Sequence, residues 1–182
     1  MGLRSRILLR RPLNDVEHNA IGYGLRKFCT RVEAGYFEEE GWDFWIENGK
    51  ALRIKYRGPI RRLYISFYSN EVEIEPVEAA TIKAHFGWAP RYAFNLGAYE
   101  DEPVDHLLLG GLILNLAEQF DGLIDYCGYL TPGKITDSQK QFKERLKILT
   151  GKLCVVNSFY QHHVSDTKFL HSWLQHPNFM MI

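Results

Sequence analysis

The segment with the strongest structural signal reads HLLLGGLILNLAEQFDGLIDYCGYL and runs from His106 to Leu130. Its first half is apolar at more positions than a surface helix needs, which predicts a helix packed on at least two sides. Pro103 precedes it and suits the first helical position, where its missing N–H has no helical partner. Gly122 can close the helix in the left-handed conformation. Residues 123–130 then have the length and aromatic content of a central strand. Together the helix and the strand locate the core.

Composition limits the class of protein. The 182 residues include 46% hydrophobic and 24% charged residues, which is typical of a soluble globular protein, and we predict one domain over residues 1–182. Twenty-two basic and 22 acidic groups give a net charge of zero, so neither a nucleic-acid nor a membrane partner is expected. The three cysteines are odd in number and far apart, which indicates buried free thiols and a cytoplasmic location.

The remaining elements follow from apolar periodicity, turn residues and helix caps. Strands are predicted near Ile7 and at residues 42–47, 51–57, 61–69, 91–98 and 152–160. Helices are predicted from Asn14 to about Val32, from Pro76 to about Phe86, from a capping box at residues 136–139 to Leu149, and from Asp166 to just before Pro177. Asn48-Gly49 marks a tight hairpin turn. The prediction is an α+β fold, a single domain with an antiparallel-dominated β-sheet covered by about four to five helices.

Candidate catalytic and metal-binding residues are few and scattered. Four histidines lie late in the chain: His162, His163, His171 and His176. Their spacing matches no metal-binding motif, so no metal and no cofactor are predicted. His106 and Cys127 suggest a nucleophile and a base. We instead expect His106 in the first turn of the buried helix and Cys127 packed as a small apolar residue in the central strand. No catalytic residue is assigned, and the chain is predicted not to be an enzyme.

Charge is segregated along the chain. Residues 33–48 hold six acidic and no basic groups, and residues 50–62 hold six basic and no acidic groups. We expect the two segments to pair across the hairpin. Two acidic loop clusters, residues 38–40 and residues 100–102, are harder to explain by pairing with basic groups. Acidic side chains crowded in a loop favour rapid association with a basic partner. With Trp42 as an aromatic anchor, the predicted partner-binding residues are Glu38, Glu39, Glu40, Trp42, Glu100, Asp101 and Glu102.

A family resemblance covers nearly the whole chain. It rests on Ile7-Leu8-Leu9 with Pro12-Leu13, on Asp43-Phe44-Trp45-Ile46, on the spaced positions from His106 to Gly128, and on the closing pattern from Phe169 to Phe179. These residues resemble a bacterial family of uncharacterised proteins of unknown function. Proteins of this style are similar to immunity proteins of bacterial toxin systems, each of which binds and neutralises one cognate toxin. The resemblance implies a non-enzymatic partner of a toxin domain and supplies no catalytic residues.

Two alternatives stay open. An enzyme of unrecognised type could use His106, His162 or His163 with nearby carboxylates, and a pocket where two such groups converge would favour it. An RNA-binding sheet could use the aromatic and basic residues of positions 57–68, although the motif typical of such sheets is missing. The sequence does not identify the toxin, its activity or the oligomeric state of the chain.

Overall fold

A computed structural model describes residues 3–35, 41–67, 74–128, 130, 139–157, 161–177 and 179–181. Its strands are β1 (Leu3–Leu9), β2 (Arg31–Ala34), β3 (Gly41–Asn48), β4 (Arg57–Phe67), β5 (Tyr92–Ala98), β6 (Leu123–Asp125), β7 (Leu153–Asn157) and β8 (Gln161–Ser165). Its helices are α1 (Asp15–Arg26), α2 (Pro76–Phe86), α3 (Pro103–Phe120), α4 (Gln139–Lys147) and α5 (Thr167–Leu174). The described strands form one antiparallel sheet in the order β2-β3-β4-β5-β1-β6-β8-β7. The predicted α+β class is confirmed.

The two faces of the sheet are covered differently. Ile7, Leu63 and Phe94 lie on a first face, where they share one large apolar core with residues of α1, α3, α4 and α5. Leu8 and Ala93 lie on the second face, in a smaller cluster with Ile82 of α2. This alternation follows from the two-residue period of a strand. The first face is therefore a conventional core, and the second face carries one short helix over part of its area.

Helix α3 is the central element of the first face. It starts at Pro103 as predicted, and its contacts with β1, β5 and α5 confirm the packing expected on at least two sides. Within the described residues, no helix combines the length and the apolar character that crossing a membrane requires. The predicted C-terminus of α3 is wrong in one detail. Asp121, rather than Gly122, adopts the left-handed conformation that closes the helix, with a φ of 51°. Gly122 instead allows a close approach, since a Cβ there would lie 2.7 Å from Ile7 Cγ2.

The strand after α3 is shorter than the sequence suggests. Strand β6 ends at Asp125, so the predicted strand over residues 123–130 and the predicted place of Cys127 within it are wrong. The cause is local, because Asp125 Oδ1 accepts a hydrogen bond of 2.8 Å from the Cys127 backbone N–H. Such an Asx-type bond turns the chain, and Cys127 takes a positive φ of 54°. A carboxylate and a thiol therefore lie at the end of a central strand.

Two other predictions are wrong near the hairpin. Helix α1 ends at Arg26 instead of about Val32, because the chain enters the edge strand β2. The Asn48-Gly49 pair does not form a two-residue turn. A 3-10 turn (Lys50–Leu52) follows it, and the Gly49 carbonyl accepts hydrogen bonds from the backbone N–H groups of residues 52 and 54. The second strand of this hairpin therefore begins only at Arg57.

The remaining elements follow the predictions with one omission. Helix α2 has the expected bounds, and the Asp166 side chain caps α5 by accepting a hydrogen bond of 2.8 Å from the Phe169 N–H. Strand β7 lies inside the predicted β-rich run. Strand β8 was not predicted, because the polar residues Gln161 to His163 are not typical of a buried strand. The first three residues of the capping box predicted at residues 136–139 lie outside the described residues, and α4 is described from Gln139.

Two helical glycines make a matched test of this packing. Gly24→Ala in α1 should raise the free energy of unfolding by up to about 1 kcal/mol, because a Cβ there meets no atom within 4 Å and alanine favours the helix. Gly110→Ala in α3 should lower it by about 1–3 kcal/mol, because its Cβ would lie 2.6 Å from the Phe179 ring. Urea denaturation measures both. Equal effects of the two substitutions would contradict the close packing of α3.

Candidate functional site

The second face divides into an open and a covered half. Strands β2, β3 and β4 form the open half, where Arg31, Trp45, Arg62 and Tyr64 keep part or most of their surface exposed. Helix α2 covers the other half, where it packs on β7 and shares the apolar cluster of β1, β5 and β8. Charged side chains lie in both halves, so each half contains a candidate site.

The open half is organised around Arg62. Its guanidinium lies 4.1 Å from the centre of the Tyr99 ring and 5.1 Å from that of Trp45, and Arg31 stacks on Trp45 at 4.7 Å. Its Nη2 also lies 2.7 Å from Asp43 Oδ2, which joins an acidic and a basic strand as the sequence predicted. We call the set Arg31, Trp45, Arg62, Tyr64 and Tyr99 the Arg62 surface.

Hydrogen bonds and burial determine the protonation states of Arg62 and Tyr99. The bond to Asp43 holds the pKa of the Arg62 guanidinium above its usual value. Burial, followed by the hydrogen bond that the Tyr99 hydroxyl donates to Asp43 at 2.8 Å, raises the pKa of Tyr99 to about 12. The arginine is therefore charged and the tyrosine neutral at physiological pH. The Tyr64 ring meets Tyr99 edge-on at 5.5 Å and extends the rigid patch.

The predicted acidic cluster at residues 100–102 borders this surface, directly after Tyr99. Glu100 lies 2.6 Å from Arg61 Nη2, and Asp101 lies 2.9 Å from His106 Nε2. Glu102 joins a reciprocal capping box with the third residue of α3. The expectation that these acids are hard to explain by pairing is therefore wrong. The side chains of Glu100 and Asp101 nevertheless stay 59% and 67% exposed, so they remain available at the rim.

The other predicted binding residues lie elsewhere. Trp42 points to the first face, where its ring is the nearest neighbour of Gly22 and meets Phe67 edge-on at 5.5 Å. It is partly buried against the core. Because odd spacing along a strand reverses the face, Trp45 supplies the aromatic ring on the open half. Glu38, Glu39 and Glu40 lie outside the described residues.

The covered half contains a buried charge cluster that the sequence analysis missed. Arg6 Nε lies 2.8 Å from Asp125 Oδ2, and a second guanidinium nitrogen contacts the same oxygen. Glu78 Oε1 lies 3.7 Å from Arg6 Nη2 and 3.2 Å from His162 Nε2. His162 Nε2 also lies 3.9 Å from Asp125 Oδ1. Asp125 and His162 are at most 1% exposed and Glu78 is 6% exposed, so these polar side chains interact with one another in place of water.

Sequence spacing could not reveal this cluster. Its members come from β1, α2, β6 and β8, so only the tertiary fold brings them together. The late histidines in fact separate. His163 accepts a hydrogen bond of 2.9 Å from the Leu130 N–H, and the His176 ring lies 5.0 Å from that of Trp173. The one usable signal was a lone carboxylate, Asp125, inside an apolar strand, where a buried charge requires partners.

Cys127 does not form the pair with His106 that the sequence suggested. His106 contacts Asp101, whereas the charged neighbours of Cys127 are Asp125 and Arg6. Burial, and then the charge of Asp125, raise the pKa of the Cys127 thiol to about 12. A neutral thiol is a poor nucleophile. The expectation of an apolar setting for Cys127 is therefore wrong, because the thiol lies beside Asp125, Arg6 and Arg4, although its raised pKa leaves it neutral.

Comparison with known sequences adds the family. The model of a family of unknown function (DUF6368) matches residues 1–182. The chain belongs to this family. The resemblance to an uncharacterised family is confirmed along the whole chain. No curated protein and no solved structure matches the sequence, so the function of this DUF6368 member has to be argued from its own residues.

Thiol labelling tests the environment of the cysteines. Burial raises the pKa of Cys29 to about 12 and also raises that of Cys154. At pH 8 a thiol of pKa about 12 carries a thiolate fraction roughly a thousandfold below that of an ordinary thiol. A thiolate of higher pKa is also a stronger nucleophile, which cancels part of this loss. Cys29 and Cys127 should therefore react with a disulfide reagent at least about tenfold more slowly in the folded protein than in guanidinium. Rapid labelling of Cys127 in the folded protein, mapped by mass spectrometry, would contradict this environment.

Proposed function

We propose that this protein is a non-enzymatic binding protein that recognises a partner protein through the Arg62 surface. The partner we propose is a cognate bacterial toxin domain, which makes the chain an immunity protein. The toxin is suggested by the resemblance to immunity proteins, whereas the surface is argued from geometry. A cytoplasmic location belongs to the same proposal, since three free cysteines suit a reducing compartment.

The observation that carries the proposal is the fixed position of Arg62. Two aromatic rings and one carboxylate hold its guanidinium, so little side-chain entropy remains to be lost on binding. Tryptophan, tyrosine and arginine are the residues enriched at the energetic centres of protein interfaces. The Arg62 surface combines these three types, with Arg31, Trp45 and Arg62 on three neighbouring strands. This composition is the one that supports a protein partner.

A protein partner also fits better than RNA. Base recognition needs free aromatic faces on which nucleotides stack. Here arginines already lie over Trp45 and Tyr99, and those arginines are paired with Asp43 and Glu33. Of the aromatic residues that suggested an RNA-binding sheet, Phe67 belongs to the core. The net charge of the chain is zero, so no broad attraction to phosphate assists binding.

Two acidic residues lie next to the Arg62 surface in the chain, and we call them the acidic rim. Glu100 and Asp101 directly follow Tyr99 in the chain and remain more than half exposed, although Glu100 pairs with Arg61 and Asp101 contacts His106. Charges at a rim mainly raise the rate of association and set orientation, while buried central residues supply most of the affinity. We therefore expect a partner with basic residues placed to meet the rim and with a carboxylate or carbonyl group facing Arg62.

A second candidate function is an enzyme with a His–carboxylate site. The observation that favours it is the convergence of His162 with Glu78 and Asp125. Catalysis requires that a substrate reach these groups. All three are almost completely buried, and Arg6 is the partly exposed member of the cluster. For that reason we place binding first.

The test is co-expression with the toxin domain encoded beside the gene for this chain. We expect a complex that survives purification and loss of toxin activity. Arg31→Glu should weaken binding at least tenfold, because it reverses an exposed charge of the Arg62 surface and removes its stacking on Trp45. Isothermal titration at two salt concentrations measures the affinity.

The matched control is Arg10→Glu. Arg10 is also an exposed arginine that stacks on a tryptophan, Trp88 at 4.4 Å, and pairs with an acid, Asp121 at 3.5 Å, but it lies outside the Arg62 surface. Its substitution should change the affinity less than twofold. Equal weakening by both substitutions would refute the surface, and absence of a complex with the neighbouring toxin domain would refute the proposed partner.

A further inference from the structure

The cluster of Arg6, Glu78, Asp125 and His162 has an unbalanced charge. Among these four side chains, two carboxylates and one guanidinium give a net charge of −1 while the imidazole is neutral. Three of the four side chains are nearly inaccessible to water, and an unbalanced charge in such a place is costly. A protonated His162 would balance this charge, and so would a divalent cation that carries one hydroxide ion. The two possibilities differ in what the cluster contains and can be separated by measurement.

The geometry favours a cation between three of these side chains. Glu78 Oε1, Asp125 and His162 each offer a ligand atom, and these atoms lie within 4.8 Å of one another. Ligands held about 2.0–2.2 Å from one Zn²⁺ ion in a tetrahedron lie roughly 3.3–3.6 Å apart. The separations of 3.2 Å and 3.9 Å from His162 Nε2 to Glu78 and Asp125 bracket this range. The third separation, between the carboxylates of Glu78 and Asp125, is at most 4.8 Å, so these two side chains would move closer together around the ion.

The orientation of the carboxylates supports the same conclusion. Within the described part of the chain, Glu78 Oε1 is buried without a hydrogen bond of normal geometry, although it faces His162. Arg6 binds Asp125 through Oδ2, which leaves Oδ1 on the side of His162. The Cys127 N–H donates to that Oδ1 and fixes it. Supporting bonds of this kind orient the ligands of metal sites.

We propose that Glu78, Asp125 and His162 bind one divalent transition-metal ion, with Zn²⁺ as the best fit. An imidazole with two carboxylates suits Zn²⁺ or Mn²⁺, whereas Mg²⁺ and Ca²⁺ prefer oxygen ligands throughout. A water molecule or the second Glu78 oxygen completes four ligands. Because the three residues belong to α2, β6 and β8, the ion ties the helix to the sheet. Its role is structural and independent of the Arg62 surface.

The test uses the full chain after removal of metal by a chelator. Titration with ZnCl₂ should show one ion per chain with a dissociation constant below 10 µM, and elemental analysis should give the same stoichiometry. At a hundredfold excess of free Zn²⁺ over that constant, the melting temperature should rise by about 5–10 °C. Glu78→Gln, which keeps the shape and removes the charge, should weaken binding at least a hundredfold.

Asp105→Asn is the matched control, because Asp105 is also a buried carboxylate paired with an arginine, Arg61 at 2.7 Å. Among the described residues, Asp105 belongs to no group that could hold a metal ion. It should change Zn²⁺ affinity less than threefold.

His162→Gln is a second test should Glu78→Gln fail to fold, as judged by circular dichroism. Binding of Zn²⁺ and Mn²⁺ weaker than 10 µM overturns the proposal and leaves a protonated His162 as the balancing charge. Tight binding that persists in the folded Glu78 or His162 variant places the ion elsewhere and also overturns it.

Discussion

The burial of α3 is the constraint on which the rest of the structure depends. Eleven of its 18 residues are buried, and all of these except Asp105 and His106 are apolar or glycine, so the helix cannot lie at a surface. Its contacts with β1, β5 and α5 give it apolar neighbours on more than one side. Because the apolar side chains of the strands are used to cover α3, the first face has little room for charge. The polar residues of the strands consequently gather on the second face, where both candidate sites lie.

Arginine–aspartate pairs recur on both faces of the sheet as the means of stabilising buried charge. Arg62 binds Asp43 between neighbouring strands, Arg6 binds Asp125 between β1 and β6, and Arg61 binds Asp105 of α3. Planar guanidinium groups suit such partly buried pairs, since they match carboxylates with directed hydrogen bonds. Removing one partner of a buried pair costs far more than an exposed pair contributes. The same pairing thus serves an exposed surface in one half and a closed cluster in the other.

Sequence patterns predicted the parts of the fold that local physics decides. Pro76 and Pro103 marked helix starts, and the length and apolar content of α3 followed from its composition. The predicted strand bounds are wrong where a single tertiary or local contact decides the structure against the apolar pattern of the sequence. The hydrogen bond from the Cys127 N–H to Asp125 ends β6, and the pairing of β8 with β7 makes a strand of polar residues. The buried cluster was beyond prediction because its residues lie from position 6 to position 162 and meet only in the folded sheet.

Helix α2 is held to the sheet in an unusual way. Its described buried residues are Ile82 and Glu78, one apolar and one charged, whereas α3 buries eleven residues. Phe86, at the end of the helix, adds a partly buried contact. Because elements with few buried apolar contacts open most readily, we expect α2 to open at a lower free energy than the global unfolding of the protein. Such opening would expose Arg6, Asp125 and His162 while the first face stays intact. We therefore expect the covered half of the sheet to exchange with solvent before the first face does, at a rate that depends on the strength of the charge cluster.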